Sequence, residues 1–146
     1  MAELNPYTKS TVATATAMEL VLMVYDEGIR SLDLAEAAFG IGGPESIALV
    51  GNHLRHAQDA ITELSVTLDM QQGGEIAVNL HRIYDFMINH LSQANVTQSL
   101  PPVLEVRNLM IELRDTWQKV AEQEAQIEGG TQAPPGIASG RFRFAG

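Results

Sequence analysis

One apolar pattern constrains the fold more than any other feature of the sequence. Between residues 47 and 68, apolar side chains recur alternately every three and four positions, at Ile47, Val50, Leu54, Ala57, Ile61, Leu64 and Leu68. Side chains at that spacing lie on one face of an α-helix and form the seam along which helices pack. The pattern therefore predicts a long amphipathic helix that needs partner helices to cover its seam.

Three other segments have similar spacing and predict three more helices. Their apolar positions run from Met18 to Phe39, from Ile76 to Ala94 and from Val103 to Val120. Long helices of similar length joined by short connections pack as antiparallel neighbours. We therefore predict an all-α fold, an antiparallel four-helix bundle with an extended N-terminal segment and a flexible C-terminal tail. Residues 1–16 form the N-terminal segment, a candidate groove cap, residues 17–127 the bundle domain, and residues 128–146 a disordered tail rich in glycine and proline.

Helix boundaries are indicated by capping and turn residues. Thr16 and Glu19 fit a capping box, which predicts that the first helix starts between them. Many helices end at a glycine in the left-handed conformation. We therefore expect Gly40 to end the first helix and Gly73-Gly74 to end the second helix in this way. The stretch from Asn95 to Pro102, which contains two adjacent prolines, is expected to stop the third helix.

Charge and composition exclude several classes of partner. The chain carries 18 acidic and 9 basic side chains, a net charge of −9, which opposes approach to nucleic acid or an anionic membrane. The most apolar stretch, residues 17–25, is too short to cross a bilayer and contains Glu19. The first ten residues lack the basic and apolar regions of a secretory signal. We therefore expect a protein of the cytosol with no nucleic-acid partner and no membrane insertion.

The residues needed for catalysis or a metal site are not found in recognisable patterns. Cysteine is absent, and none of the four histidines follows a glutamate at the Glu-x-x-His spacing of di-iron bundles. We interpret His53 and His56 as a solvated pair rather than a metal site, because two ligands are too few. The prediction is a protein with no cofactor and no enzymatic activity. A helical-bundle metal or redox protein is the alternative.

Apolar side chains exceed what one seam per helix requires. The first helix carries a second stripe, Leu20, Val24, Leu34 and Ala38, and the third helix carries Ile83, Phe86 and Ile88 beside Asn79. Such stripes indicate either a wider core or a groove for a partner. Tyr25 and Tyr84 lie on or beside the seams, and we expect their hydroxyls at a polar boundary.

Several short stretches, in their order along the chain, resemble a known family. They are Asn5-Pro6-Tyr7, the run from Glu19 to Asp26, the run from Gly73 to Ala77, Asn79-Leu80, the run from Ile83 to Met87, and Leu113-Arg114-Asp115 with Trp117. Together they span residues 5–125 and are similar to the flagellin-specific export chaperone family FliS. One departure is Glu27-Gly28, where the family more often has a glycine and an alanine.

The resemblance implies a function and a partner. Members of the family bind the C-terminal segment of flagellin in the cytosol, prevent its premature polymerisation and support flagellar type III secretion. The export apparatus and other flagellar regulators are further candidate partners, and a flagellar regulatory adaptor is an alternative role. On this basis we predict the partner-binding residues Tyr7, Leu20, Val24, Ile76, Asn79, Ile83, Phe86 and Met87.

Three of these expectations concern single residues or short segments. Tyr7 is predicted to be a removable plug in the partner groove, as the resemblance implies for the N-terminal segment. Asn79 bonds either the backbone of a bound segment or a carbonyl of the bundle. The basic and aromatic run from Arg141 to Phe144 is either a solvated tail or a second intramolecular plug attracted to the acidic bundle.

Overall fold

The computed structural model describes residues 16–126, apart from the side chains of residues 124 and 125. These residues form four α-helices, which are α1 (Ala17–Phe39), α2 (Pro44–Val66), α3 (Gly74–Thr97) and α4 (Leu100–Gln126). Each helix packs against the next along the chain, and α4 packs back against α1 to close the arrangement. The helices therefore occupy the corners of a square, with α1 diagonal to α3.

Contacts between helices establish their directions. Ser46 at the start of α2 donates a hydrogen bond of 2.6 Å to the carbonyl of Ala38 near the end of α1. Between α1 and α4, Asp26 contacts Arg114 whereas the later Glu36 contacts the earlier Arg107. The order reverses, so neighbouring helices are antiparallel, and the predicted all-α four-helix bundle is confirmed.

The start of α1 follows the sequence prediction, but its end does not. The Glu19 backbone donates to Thr16 Oγ1 at 3.0 Å, and the Thr16 backbone donates to Glu19 Oε1 at 2.9 Å, which confirms the capping box. Gly40 has a right-handed φ of −76°, so the left-handed stop predicted there is wrong. Positive φ values occur instead at Gly42 and Gly43, because the chain reverses direction at those residues.

The corner between α2 and α3 also differs from the prediction. Helix α2 ends at Val66, and Gly73-Gly74 lie at the start of α3 rather than at the end of α2. The turn is made by Asp69, whose carboxylate accepts from the backbone N–H groups of Gln71 and Gln72. An aspartate that bonds the backbone two residues on forms such a turn locally.

Helix α3 ends at Thr97, inside the stretch from Asn95 to Pro102 that was predicted to stop it. Gln98 is the C-cap of α3 and has a left-handed φ of 51°. Pro101 and Pro102 lie in the first turn of α4. A proline is tolerated there because the first N–H groups of a helix have no partner within the helix.

The core contains a buried polar triad as well as aliphatic side chains. Tyr25 and Tyr84 are fully buried, and their hydroxyl oxygens lie 2.7 Å apart. Trp117 Nε1 donates to the Tyr25 hydroxyl at 3.2 Å. The expectation of hydroxyls at a polar boundary was wrong, because the two tyrosines satisfy each other inside the core.

Gly28 allows α1, α2 and α4 to approach one another closely. A Cβ atom at this position would lie 2.7 Å from Met110 Cε of α4 and 3.4 Å from Ala60 Cβ of α2. The missing side chain thus makes room for Met110, which is fully buried. The residue that departs from the family pattern is therefore a packing position.

Candidate partner-binding site

An open groove runs between α1 and α2. It has a volume of about 460 Å³ and is lined by Leu20, Met23, Val24 and Glu27 from α1 and by His56, Asp59, Ala60 and Glu63 from α2. That volume falls within the roughly 300–1,000 Å³ of typical binding pockets. We call this feature the α1–α2 groove.

Apolar side chains form the floor and one wall of the groove. Leu20 and Ala60 are each 8% exposed and close the floor, whereas Met23 is 54% exposed and stands at the edge. Val24 is half-buried and packs partly on the core. Because Met23 and Val24 follow Leu20 by three and four residues, each lies next to Leu20 on the same face of the helix. A partner with an apolar face could bury these side chains.

Carboxylates form the rim of the groove. Glu27 lies on α1, and Asp59 and Glu63 lie on α2. Glu27 has an exposed ion pair of 3.4 Å with Arg30, a contact of small energetic value. Within residues 16–126, no lysine or arginine lies within ion-pair distance of Asp59 or Glu63. The rim therefore favours a partner with basic side chains next to apolar ones.

A second apolar surface lies on α3. It consists of Ile76, Asn79, Ile83 and Phe86, and we call it the α3 patch. Ile76 and Phe86 are 47% and 48% exposed, and Ile83 is half-buried. The Phe86 ring stacks on His90, with centroids 4.7 Å apart. His90 bonds Glu105 of α4, so the patch lies on the side of α3 that faces α4.

The predicted partner-binding residues fall into separate places. Leu20 and Val24 line the α1–α2 groove, while Ile76, Asn79, Ile83 and Phe86 form the α3 patch. Helices α1 and α3 are diagonal, so the structure does not bring these two sets together. Asn79 is exposed, which favours a bond to a bound segment over a bond to a bundle carbonyl.

The other two predicted residues are Met87 and Tyr7, and neither contributes to the two surfaces described above. Met87 is 0% exposed and belongs to the core, so it supports α3 from inside rather than offering a contact surface. The period of α3 explains this, because Met87 continues the buried series of Leu80, Tyr84 and Leu91. Tyr7 lies outside the described residues.

Sequence reasoning missed the α2 side of the groove. His56, Asp59 and Glu63 carry no apolar signal, and they lie away from the α2 seam. Their contribution depends on which residues of α1 they face, and that is decided by the packing of α1 on α2. A hint was available in Ala60, a small residue one turn from the seam residue Ala57.

Neither a metal centre nor a membrane span emerges from the described part of the chain. Within residues 16–126, no three or more histidine, aspartate or glutamate side chains gather as metal ligands would. His53 is half-buried, and His56 is exposed at the groove. No helix in this range combines the length and apolar character that crossing a bilayer requires.

Fold and groove together define the class of protein, an all-α four-helix bundle with an open apolar groove rimmed by carboxylates. The chain belongs to the FliS family, since the family model described as "Flagellar protein FliS" matches residues 1–124. The resemblance inferred from the sequence motifs is therefore confirmed.

Relatives from three bacteria match most of the chain. It is 31% identical over 134 residues to the flagellar secretion chaperone FliS of Bacillus subtilis, covering 90% of this chain and 97% of the relative. The FliS chaperone of Vibrio cholerae is 32% identical over 76% of this chain and 79% of its own length. That of Salmonella typhimurium is 31% identical over 77% of this chain and 82% of its own length.

Proposed function

We propose that this protein is a flagellar export chaperone of the cytosol that binds the C-terminal segment of flagellin. It would prevent premature polymerisation of that segment and support its flagellar type III secretion, without catalysis. Family membership supports the general role, because the similar proteins are named flagellar secretion chaperones. The observation that carries the binding role is the open α1–α2 groove.

Helix-in-groove binding accounts for how the groove would act. The terminal helices of flagellin are amphipathic, as the family resemblance implies, and their apolar stripes otherwise pair with other subunits. A stripe laid over Leu20, Met23 and Val24 would be shielded from that pairing. Met23 suits such a surface because its flexible thioether side chain can repack around different partners.

The α3 patch offers a second contact for the same partner. It carries the exposed Phe86, and aromatic side chains contribute strongly to binding surfaces. A single helix cannot contact both surfaces, because α1 and α3 are diagonal in the bundle. The bound segment would therefore wrap around the bundle, with one helix in the α1–α2 groove and a later piece on the α3 patch.

A segment that wraps around the bundle would be held by binding alone, with no catalytic step. The chaperone would cover several apolar stripes at once, and linked contacts bind more tightly than either contact alone. The export apparatus would then receive flagellin from this complex. Other flagellar regulators would compete with flagellin for the same surfaces of the chaperone. Tyr7 stays a predicted plug of the partner surface.

The proposal is tested by co-purification with the C-terminal segment of flagellin from the same cell. We expect a stable 1:1 complex. Met23→Glu should weaken it at least about tenfold, because a charge would be buried among apolar side chains beside the Glu27, Asp59 and Glu63 carboxylates.

Met70→Glu is the matched control. Met70 is 45% exposed, similar to Met23, but lies in the corner between α2 and α3 and does not line the groove. This variant should bind with unchanged affinity. Absence of any complex would reject flagellin as the partner, whereas equal affinities of the two methionine variants would reject the groove as the binding site.

A further inference from the structure

The groove has an unusual match within the same chain. The segment Arg141-Phe142-Arg143-Phe144 alternates two cationic with two aromatic side chains, and it lies outside the described residues. From residue 129 to residue 146 the chain contains no aspartate or glutamate. An apolar groove with a carboxylate rim selects for this combination of side chains.

We propose that the segment from Arg141 to Phe144 docks in the α1–α2 groove of its own chain and competes there with the partner. The phenylalanine rings cover Leu20, Met23 and Ala60, and the guanidinium groups lie at the rim carboxylates. Docking itself needs only the groove, while competition with flagellin rests on the function proposed above. The tail is then a built-in competitor that an incoming partner must displace.

Charge complementarity carries the first step of the argument. Three carboxylates, those of Glu27, Asp59 and Glu63, line one small groove, and only Glu27 has a basic partner within residues 16–126. Arg141 and Arg143 are two of the nine basic residues of a chain with 18 acidic ones. A guanidinium group binds a carboxylate with two parallel hydrogen bonds, which makes arginine better suited than lysine to such a rim.

The length and starting point of the tail allow the contact. Arg114 bonds Asp26 and Trp117 bonds Tyr25, so the last turns of α4 run toward the end of α1 that carries Leu20. Arg141 lies 15 positions beyond Gln126, which corresponds to a reach of about 50 Å for an extended chain. The groove is about two helix spacings from α4, or roughly 20 Å. The tail can therefore reach the groove with slack.

Residues 1–15 are the competing occupant within the chain, and their charges fit the rim less well. They contain one basic residue, Lys9, and one acidic residue, Glu3. Tyr7 can supply an aromatic ring, but no second cation accompanies Lys9. The acidic rim thus selects the C-terminal segment over the N-terminal one.

The effect on partner binding is expected to be moderate. A tether of this length gives an effective concentration of about a millimolar, so even a weak contact closes the groove part of the time. Closing the groove for half to nine-tenths of the time would lower the apparent affinity for a partner about two- to tenfold. Such a competitor slows capture without preventing it.

Docking is tested directly in the full chain by paramagnetic labelling. The chain has no cysteine, so Ala145→Cys places a single nitroxide label next to Phe144. At low salt we expect broadening of the NMR signals of Met23, Val24, Ala60 and Glu63, with little effect on Ile76 and Phe86. Phe142→Ala with Phe144→Ala should abolish the broadening, and high salt should reduce it. Uniform broadening, or none at the groove, would overturn the proposal.

A charge swap tests the rim. Asp59→Arg with Glu63→Arg should abolish the broadening, and adding Arg141→Glu with Arg143→Glu should restore it. Asp59 and Glu63 are exposed, so circular dichroism is expected to show unchanged helix content in both variants. Failure of the second pair to restore the broadening would show that the carboxylates do not hold the tail.

Two further experiments distinguish tail docking from flagellin binding, and the C-terminal segment from the N-terminal one. Deleting residues 1–15 should leave the broadening in place; its appearance only after that deletion would show that the N-terminal segment fills the groove and would overturn the proposal. In calorimetry with the flagellin segment, the Phe142→Ala and Phe144→Ala variant should bind about two- to tenfold more tightly than the unaltered chain. Groove broadening without any flagellin binding would reject the proposed function while leaving tail docking in place.

Discussion

The hydroxyl groups of Tyr25 and Tyr84, 59 residues apart in sequence, share a hydrogen bond of 2.7 Å across the diagonal of the bundle. Helices α1 and α3 do not pack against each other, so this bond joins two corners of the square through its centre. Trp117 of α4 adds a third member by donating to the Tyr25 hydroxyl. A buried polar triad holds three helices in one axial register, because a shift would leave a polar group unpaired.

Removing the two hydroxyls should not be equally destabilising. Tyr25→Phe deprives both Trp117 Nε1 and the Tyr84 hydroxyl of a partner, and each orphaned buried group costs about 1–3 kcal/mol. Tyr84→Phe leaves the bond from Trp117 to Tyr25 in place. We expect Tyr25→Phe to lower the free energy of unfolding more than Tyr84→Phe, as measured by urea denaturation. Equal losses would show that the Trp117 bond contributes nothing.

Stability should fall in alkaline solution because of the same two residues. Burial raises the pKa of Tyr25 and of Tyr84 above the ordinary tyrosine value of 10.0, and the proximity of Tyr25 raises that of Tyr84 further. The unfolded chain then loses these protons at a pH where the folded chain keeps them. Their contribution is complete below pH 10 and is lost as the pH rises, with a limiting slope of about 1.4 kcal/mol per pH unit for one tyrosine.

The measurement is the free energy of unfolding between pH 8 and pH 11. The chain should show a steeper decline above pH 10 than the double variant Tyr25→Phe, Tyr84→Phe. A decline of the same slope in both proteins would mean that other groups cause the alkaline loss.

A methyl group at Gly28 should be tolerated, but a larger side chain should not. The added Cβ of Gly28→Ala would meet the end of the flexible Met110 side chain, and alanine gains up to about 1 kcal/mol in helix propensity. We expect a net change in unfolding free energy below about 1 kcal/mol. Gly28→Leu should lower the free energy of unfolding by about 1–3 kcal/mol, because a side chain larger than a methyl group has no room between Met110 and Ala60. A large loss for Gly28→Ala would show that Met110 cannot move aside.

Deleting residues 1–14 should tighten binding of the flagellin segment. If Tyr7 covers part of the partner surface, removing it abolishes a competitor, and we expect an increase in affinity of about two- to tenfold by calorimetry. Tyr7→Ala in the full chain should give a similar increase, which separates the side chain from the rest of the segment. Unchanged affinity, with no added binding of an apolar dye, would contradict a plug.

Most of the fold could be predicted from the spacing of apolar residues, whereas the site could be predicted only in part. The α2 seam is buried from Val50 to Leu64, as its period requires, but Ile47 at its start is exposed. Ile76, predicted as the first seam residue of α3, is also exposed, and the buried face of α3 begins at Ala77 instead. At a helix end there are too few turns for the apolar spacing to show which of two adjacent residues is buried.

The capping box at Thr16 and Glu19 shows which features local chemistry determines. Both of its hydrogen bonds join residues three apart, so no distant part of the chain is needed to make them. Gly40 and Gly73 show the opposite case, since their conformations depend on where the next helix must go. The first two corners therefore differed from expectation while the helices did not.

Sequence alone determined four amphipathic helices, their antiparallel order and the family, because these follow from apolar period, short connections and contiguous motifs. Only the tertiary structure decided that Tyr25 and Tyr84 meet inside the core, that Met87 is buried, and that Asp59 and Glu63 face Leu20 across an open groove. The physical reason is that these relationships depend on the rotation and axial register of one helix against another, which are set by the packing of all four helices together.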